Sequence, residues 1–240
     1  METQSVLLTP CGATRVTRTE LQTIAAPAPT TAWKPVKHAD LVETIEQGLQ
    51  ERSITVCREQ FAVQREGRRF FAVLDLSERT HEFRDALGLR ASNDKTLAIQ
   101  IAVGLRVFVC DNLALSGDLI ALRRKHTSRL ALYHEVGQAL TRFATHFQLF
   151  TQEVTTRHHV SLSDERAKAL IHDVFRQQLL PLRLFPIVSR EYFTPRLPDF
   201  MPRTAWSLSN AFTHAAKALP AGPQFRALLG LGRLLSNLTN

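Results

Sequence analysis

The spacing of apolar residues changes period twice along the chain. In HADLVETIEQGLQ, Leu41, Ile45 and Leu49 recur at i, i+4 and i+8 with charged residues between them. That spacing predicts an amphipathic helix over residues 38–51. From residue 54 the period falls to two. ITVCREQFAVQREGRRFFAVLDL places Ile54, Val56, Phe61, Val63, Phe71 and Val73 in alternation and reads as two strands about a short turn at Glu66-Gly67. HEFRDAL reads as a short helical turn. LGLRAS and TLAIQIAV read as strands around Asn93-Asp94-Lys95, and LRVFVCDN follows Gly104, where a bend, bulge or hairpin corner is expected. SGDLIALRRKHT adds one more strand.

From about residue 130 the period is helical again. Leu130, Val136, Leu140, Phe143 and Phe147 fall near one face of a helix. Ser163 is an N-cap followed by acidic residues, as a helix start prefers, and Leu170, Val174 and Phe175 form its apolar stripe. Pro181, Pro186, Pro195, Pro198 and Pro202 then punctuate the chain. RTAWSLSNAFTHAAKAL and PQFRALLGLGRLLSNL are two more helices, separated by Pro220–Pro223. Before all of this, APAPTTAWKP marks residues 1–36 as an arm or linker, with a Val-Thr-Arg-Thr patch that can form a short strand. No internal repeat is evident. The expected class is α+β: an antiparallel-rich sheet (about 54–126) preceded by one helix and followed by a helical C-terminal portion (about 128–237), with 37–240 as a single domain.

Composition narrows the setting. The chain has 240 residues, enough to bury a real core, and its 44% hydrophobic and 22% charged fractions are those of an ordinary globular protein. Cys11, Cys57 and Cys110 are too scattered for a disulfide framework or a Cys-x-x-Cys zinc site, which points to a reducing compartment. No apolar run approaches the roughly 18–20 residues that cross a bilayer. METQSVLLTPCG lacks the basic start and long apolar stretch of a secretory signal. A cytoplasmic protein without a membrane partner is expected.

Charge changes the picture more. The formal net charge is +8. A basic surface accumulates polyanions by Coulomb attraction and counterion release, so nucleic acid is the default partner class. The excess is local: residues 55–130 carry 13 Lys/Arg against 9 Asp/Glu, and residues 181–240 carry 7 against 2. Arg123, Arg124, Lys125 and Arg129 cluster around His126. Arg90, Lys95 and Arg106 belong to the same region, and Arg65, Arg68 and Arg69 gather at the first hairpin. Such cations neutralise phosphates without reading sequence. Phe70 and Phe71 are adjacent on a strand, so one should face away from the other and offer a stacking surface. The plainer alternative is that both pack in the core and the cations form a solvated face.

The candidates for catalysis are weaker. Cys110-Asp111-Asn112 invites a nucleophile reading with His126 or His81 as base. A free cysteine is more often a small buried hydrophobe, and Asp111 and Asn112 suit a side-chain-to-backbone turn at a strand end. His158 and His159 are adjacent and point apart, and His126, His134 and His146 lack a His-Glu-x-x-His pattern, so no metal is expected. There is no P-loop and no dinucleotide fingerprint at Gly104 or Gly117, so no cofactor is expected either.

The succession HADLVETIE, FAVQREGRRFFAVLDL, GLRASNDKTLAIQIAVGLRVFVCDNLALSGD, RRKHT and PRTAWSLSNAFTHAAK resembles the domain-of-unknown-function 932 family, also described as phage/plasmid-like proteins. The resemblance covers about residues 35–235. Asn93, Asp94, Lys95, Cys110, Asp111, Asn112, Ser116, Gly117, Lys125 and His126 match its signature positions. It carries over no activity and gives those residues no roles. The setting it implies is mobile-element or DNA-maintenance biology. The layout also resembles phage single-strand annealing proteins, which bind DNA in a basic groove and assemble into rings or filaments. A shared layout does not dictate function.

These features favour a nucleic-acid-binding protein without catalysis, contacting single-stranded or duplex DNA and expected to be capable of forming a homo-oligomer. Arg68, Arg69, Arg90, Lys95, Arg106, Arg123, Arg124, Lys125 and His126 would hold the phosphates on a basic sheet surface. Asn93, Asp94, Cys110, Asp111, Asn112 and Gly117 would shape that surface. Two alternatives stay open. One is an enzyme acting on nucleic acid or nucleotide, with Asp94, Lys95, Cys110, Asp111 and His126 in one pocket. The other is a protein-interaction factor of phage or plasmid origin that counters a host system through the C-terminal helices.

Overall fold

The computed structural model describes residues 13–78, 83–107, 113–127 and 130–238. Six strands form one antiparallel meander in which each strand pairs with its neighbours in sequence: β1 (Thr14–Val16), β2 (Val56–Gln64), β3 (Arg69–Glu78), β4 (Phe83–Ser92), β5 (Ile99–Val107) and β6 (Leu113–Arg124). The helices are α1 (Arg18–Thr23), α2 (His38–Gln50), α3 (Leu132–His159), α4 (Asp164–Arg176), α5 (Phe185–Phe193), α6 (Ala205–Ala216) and α7 (Ala221–Ser236). The class is α+β, with an antiparallel sheet and a helical C-terminal portion. Among the described residues no helix is long and apolar enough to cross a membrane.

Side chains alternate across a strand, so each strand serves two cores at once. Phe70, Ala72 and Leu74 of β3 join Leu87, Leu89, Ile101 and Val103 under α2 and α3, where Ile45, Leu140, Phe143 and Phe147 meet them. Phe71 and Val73 point the other way, with Ala86 and Ala102, into a second core built from α4 to α7 around Val174, Phe212 and Leu231. All nine residues of β5 are buried. Complete burial of a strand is what two covered faces require. Phe70 and Phe71 therefore offer no stacking surface: one is 0% and the other 2% exposed.

Three local features depart from expectation. HEFRDAL does not form a helical turn. Its residues from Phe83 onward run directly into the ten-residue strand β4, where Leu87 lies opposite both Leu74 and Val103. Glu, Asp, Ala and Leu tolerate a helix, but pairing on both sides overrides local propensity. The second departure is in the arm, which supplies the edge strand β1 and the short helix α1. Thr17 caps α1, and its backbone N–H donates to the Glu20 carboxylate at 2.7 Å while the Glu20 N–H donates back to Oγ1. Arg18 then ties the arm down, donating to Glu46 of α2 and Glu59 of β2. The third is α5, which starts with a proline in its first turn, where a missing N–H costs nothing. At Gly104 the expected irregularity is present: Ala102 lies opposite Ile120 but Gly104 opposite Leu115, so β6 carries extra residues there.

One ion pair is enclosed in the second core. Arg106 Nε donates to Asp75 Oδ1 at 2.8 Å and an Nη atom donates to Gln60 Oε1 at 3.3 Å. Arg106 is 3% exposed and Asp75 0%. Arg106 is therefore a core residue, and the surface phosphate contact expected of it does not fit its burial. Removing one partner of such a pair leaves a charge enclosed without its counterion. Asp75→Ala is expected to cost about 3–5 kcal/mol of stability, read by urea unfolding. A loss below about 1 kcal/mol would mean that the pair does not carry an enclosed charge.

Candidate nucleic-acid interface

With both faces of the sheet covered, exposed charge collects at its ends. The register shows which segments share an end. Gln64 pairs with Arg69, Arg69 with Ser92, and Ile99 with Arg124. The β2–β3 turn, the β4–β5 connection and the last residues of β6 therefore lie side by side. The segment leading into α2 crosses the same end. Trp33 bridges to Thr127, and the Lys34 N–H donates to the His126 carbonyl at 3.4 Å.

Local chemistry explains how these loops hold their shape. Glu66 and Gly67 both have positive φ, at 57° and 81°, and the Arg68 N–H closes the turn on the Arg65 carbonyl. The Gly67 carbonyl accepts from His38 Nε2 at 2.8 Å. Asn93 is buried and cross-links the end: its N–H donates to the Arg68 carbonyl at 2.7 Å and its Nδ2 to the Val36 carbonyl at 2.9 Å. Asp94 builds an Asx turn by accepting from the Thr96 N–H at 3.0 Å, and it also accepts from Arg69 at 3.0 Å and Arg65 at 3.3 Å. Burial alone would raise its carboxyl. The hydrogen bonds from Thr96, Ser92 and Arg69 outweigh burial and hold the group at about 2.

Arg65 and Arg69 are thus engaged by Asp94, and Arg124 Nε donates to Glu135 of α3 at 2.8 Å. Lys34, Lys37, Arg68, Lys95, Arg123 and Lys125 make no ion pair with any described residue. Of these, all but the half-buried Lys37 are exposed. Lys95, held at φ 65°, stands with Nζ 4.9 Å from the ring centroid of Trp33. The acidic residues in these loops are Asp94 and Glu66, so the end is strongly positive.

The expected residues therefore divide. Arg68, Lys95, Arg123, Arg124 and Lys125 are exposed at one end of the sheet, and Arg69 is half-buried beside them. Arg90 is half-buried on the face under α7, with its guanidinium 5.2 Å from the Phe225 ring. His126 is buried and shapes the end from within rather than facing a ligand. Gly117 lies within β6. The expectations for Cys110, Asp111 and Asn112 fall outside the described residues. The residues flanking them, Val107 and Leu113, lie at the far end of β5 from Asp94, Lys95 and His126, about 30 Å of strand away. Trp33, Lys34 and Lys37 escaped attention because they sit in the Pro-rich arm or at its junction with α2, although the string Trp-Lys-Pro-Val-Lys was there to be read.

Elsewhere, an open cavity of about 750 Å³ lies between α4 and α7, lined among others by Phe175, Leu179, Leu182, Pro223 and Arg226. Its lining contains no carboxylate, histidine or cysteine, so it offers no acid, base or nucleophile. Among the described residues no three His, Cys, Asp or Glu side chains come together in a metal-ligating group.

The sequence model of one family, described as Domain of unknown function (DUF932), matches residues 28–218. No curated protein and no solved structure matches the chain.

The basic end rests on a buried histidine. His38 stacks on Phe70 with ring centroids 5.0 Å apart, and burial pushes its imidazole down to about 4. The Gly67 carbonyl opposes that shift and His126 adds to it, and His126 is itself lowered by burial. Both groups are neutral in the fold at pH 7 and gain protons more readily once unfolded. The stability that His38 confers is complete above about pH 6.5 and is lost as the pH falls toward 4, and His126 acts in the same direction. For His38 alone the loss between pH 7 and pH 5 is expected to be about 2 kcal/mol. Urea unfolding across that range should show the decline, and His38→Gln should flatten it. A wild-type stability equal at pH 7 and pH 5 would refute the assignment.

Proposed function

This chain belongs to the DUF932 family, and we propose that it binds nucleic acid through the basic end of its sheet, holding phosphates without performing chemistry on them. One observation carries the reading: Lys34, Lys37, Arg68, Lys95, Arg123 and Lys125 come from four separate segments, share one end of the sheet and lack protein counterions among the described residues. Like charges gathered on a folded surface repel one another, and a polyanion relieves that repulsion while releasing its own counterions. The turn network of Asn93, Asp94 and His38 fixes the loops that carry the cations, so little ordering is left to occur on binding. Trp33 under Lys95 adds an aromatic ring at the same place, where a base can stack.

The partner class is single-stranded or duplex DNA, contacted through its backbone, and the family's phage/plasmid-like description suits a role in DNA maintenance on mobile elements. If about five phosphates are neutralised, the logarithm of the binding constant should fall with that of salt concentration with a slope of about −4 to −5 on duplex and −3 to −4 on single strands. Fluorescence anisotropy with labelled oligonucleotides between roughly 50 and 200 mM salt measures this. The combined variant Arg68→Ala, Lys95→Ala, Lys125→Ala should bind at least about tenfold more weakly and lose about 2–3 from the duplex slope. Salt-independent binding, or an unaltered slope in that variant, overturns the proposal.

A further inference from the structure

Phe71, Arg90, Gln100 and Arg123 stand directly opposite one another on β3, β4, β5 and β6, in one row across the face that α7 covers. Residues opposite on antiparallel strands hold their Cβ atoms about 5 Å apart, so Gln100 lies between the two arginines. Phe225 of α7 packs against the Arg90 guanidinium. Gly88 makes that approach possible, because a Cβ there would come within 3.1 Å of the Phe225 ring. Arg226 follows on the same helix, close enough to act on Arg90 electrostatically.

This row lacks what its polar atoms need. Arg90 Nε is enclosed without a protein acceptor, and so is Nε2 of Gln224, one residue before Phe225. Gln100 is 2% exposed and its Oε1 has no donor. Turned over, the same amide presents its NH₂ instead. An enclosed donor without an acceptor costs about 1–3 kcal/mol, and a charged one costs more. Burial lowers the Arg90 guanidinium to about 10, and the two charges that add to this effect, Arg123 and Arg226, are both positive. On the same face Arg106 has Asp75 as its counterion, whereas among the described residues no carboxylate acts on Arg90 in this way. A water molecule could accept the hydrogen bonds but could not neutralise three cations.

We propose that a phosphate group binds between the sheet and α7, held by Arg90 and Arg123, with Gln100 donating between them and Arg226 closing the site from the helix. A phosphate fits better than a single carboxylate because its several oxygens can meet separate guanidinium groups, which bind oxyanions in bidentate fashion. The site is contiguous with the basic end, since Arg123 is two residues before Lys125. The phosphate can come from the end of a nucleic-acid strand or from a small phosphate in solution. The strand-end source rests on the nucleic-acid reading, and the small-phosphate source does not.

Two measurements on the full chain test the site. In thermal unfolding, inorganic phosphate at millimolar concentration should raise the Tm of the wild type above the effect of chloride at matched ionic strength. The rise should vanish in both Arg90→Gln and Arg226→Gln. Arg226 is exposed, so its variant keeps the test valid if Arg90→Gln folds poorly. In anisotropy titrations, a 5′-phosphorylated or 3′-phosphorylated oligonucleotide is compared with its hydroxyl-ended twin. A preference of about tenfold or more for either phosphorylated end, lost in Arg226→Gln, assigns the site to strand ends. A phosphate-dependent Tm without such a preference assigns it to a small phosphate. Oligonucleotide binding with neither effect overturns this site and leaves the proposed function standing. A phosphate effect without oligonucleotide binding does the reverse.

Discussion

A strand paired on both edges and covered on both faces can keep a polar side chain only where a partner reaches it. β4 and β5 are in that position throughout most of their length, between the core under α2 and α3 and the core under α4 to α7. Burying a large apolar side chain is worth about 1.5–3 kcal/mol, and enclosing an unpaired charge costs more than that. The chain meets this constraint by making the middle of the sheet almost wholly apolar and sending cations to the strand ends. Arg68, Lys95, Arg123 and Lys125 lie where strands begin or stop, because there the backbone emerges from between the helices.

The same constraint explains how the loops of the basic end are held. Loops at a strand end would ordinarily be its most mobile part. Here buried residues reach into them: the His38 side chain from α2 holds Gly67, and Asn93 holds Arg68 through its backbone N–H and Val36 through its side chain. Asp94 pairs with both Arg65 and Arg69 at close range, which reduces repulsion within the loops and leaves the outer cations uncompensated. One carboxylate in the right place thus lets a dense group of positive charge stay folded without cancelling it.

Much of this was legible in the sequence, and what was not has physical reasons. The change of period from 3.6 to two and back located α2, the sheet and the C-terminal helices. The helix α1 was signalled by Thr17-x-x-Glu20, a capping box that is readable but hidden in a Pro-rich arm. Coverage of the second face was signalled too, since IAVGL, residues 101–105, is a run without a polar side chain and a strand with one wet face would alternate. Expecting one of Phe70 and Phe71 to offer a stacking surface ignored that run. Which cations end at the surface could not be read, because Arg90 and Arg106 lie in similar apolar surroundings along the sequence. Their fates depend on cross-strand neighbours, and register is a long-range property. The meeting of Trp33, Lys34 and Lys37 with residues 93–95 and 123–127 is likewise tertiary.

The two arginines show how the fold uses register to sort charge. Both are on the face toward the C-terminal helices, in adjacent strands, and both are at least half-buried. Arg106 stands opposite Arg84 at one end and has the Asp75 carboxylate across β4, so its charge is closed within the protein. Arg90 stands opposite Gln100 and Phe71, where a carboxylate is replaced by an amide and a ring, and α7 contributes another arginine rather than an acid. Apolar packing cannot explain that choice, because Leu in place of Arg90 would fill the space beside Phe225 without enclosing a charge. A half-buried cation with cationic neighbours and an enclosed Nε lowers stability, so its presence is accounted for by an interaction outside the protein fold. The open charge lies beside the exposed cations of Arg123 and Lys125, whereas the closed one lies toward the other end. That arrangement makes the basic end of the sheet and the row beneath α7 parts of one electrostatic surface, continuous from solvent into the protein.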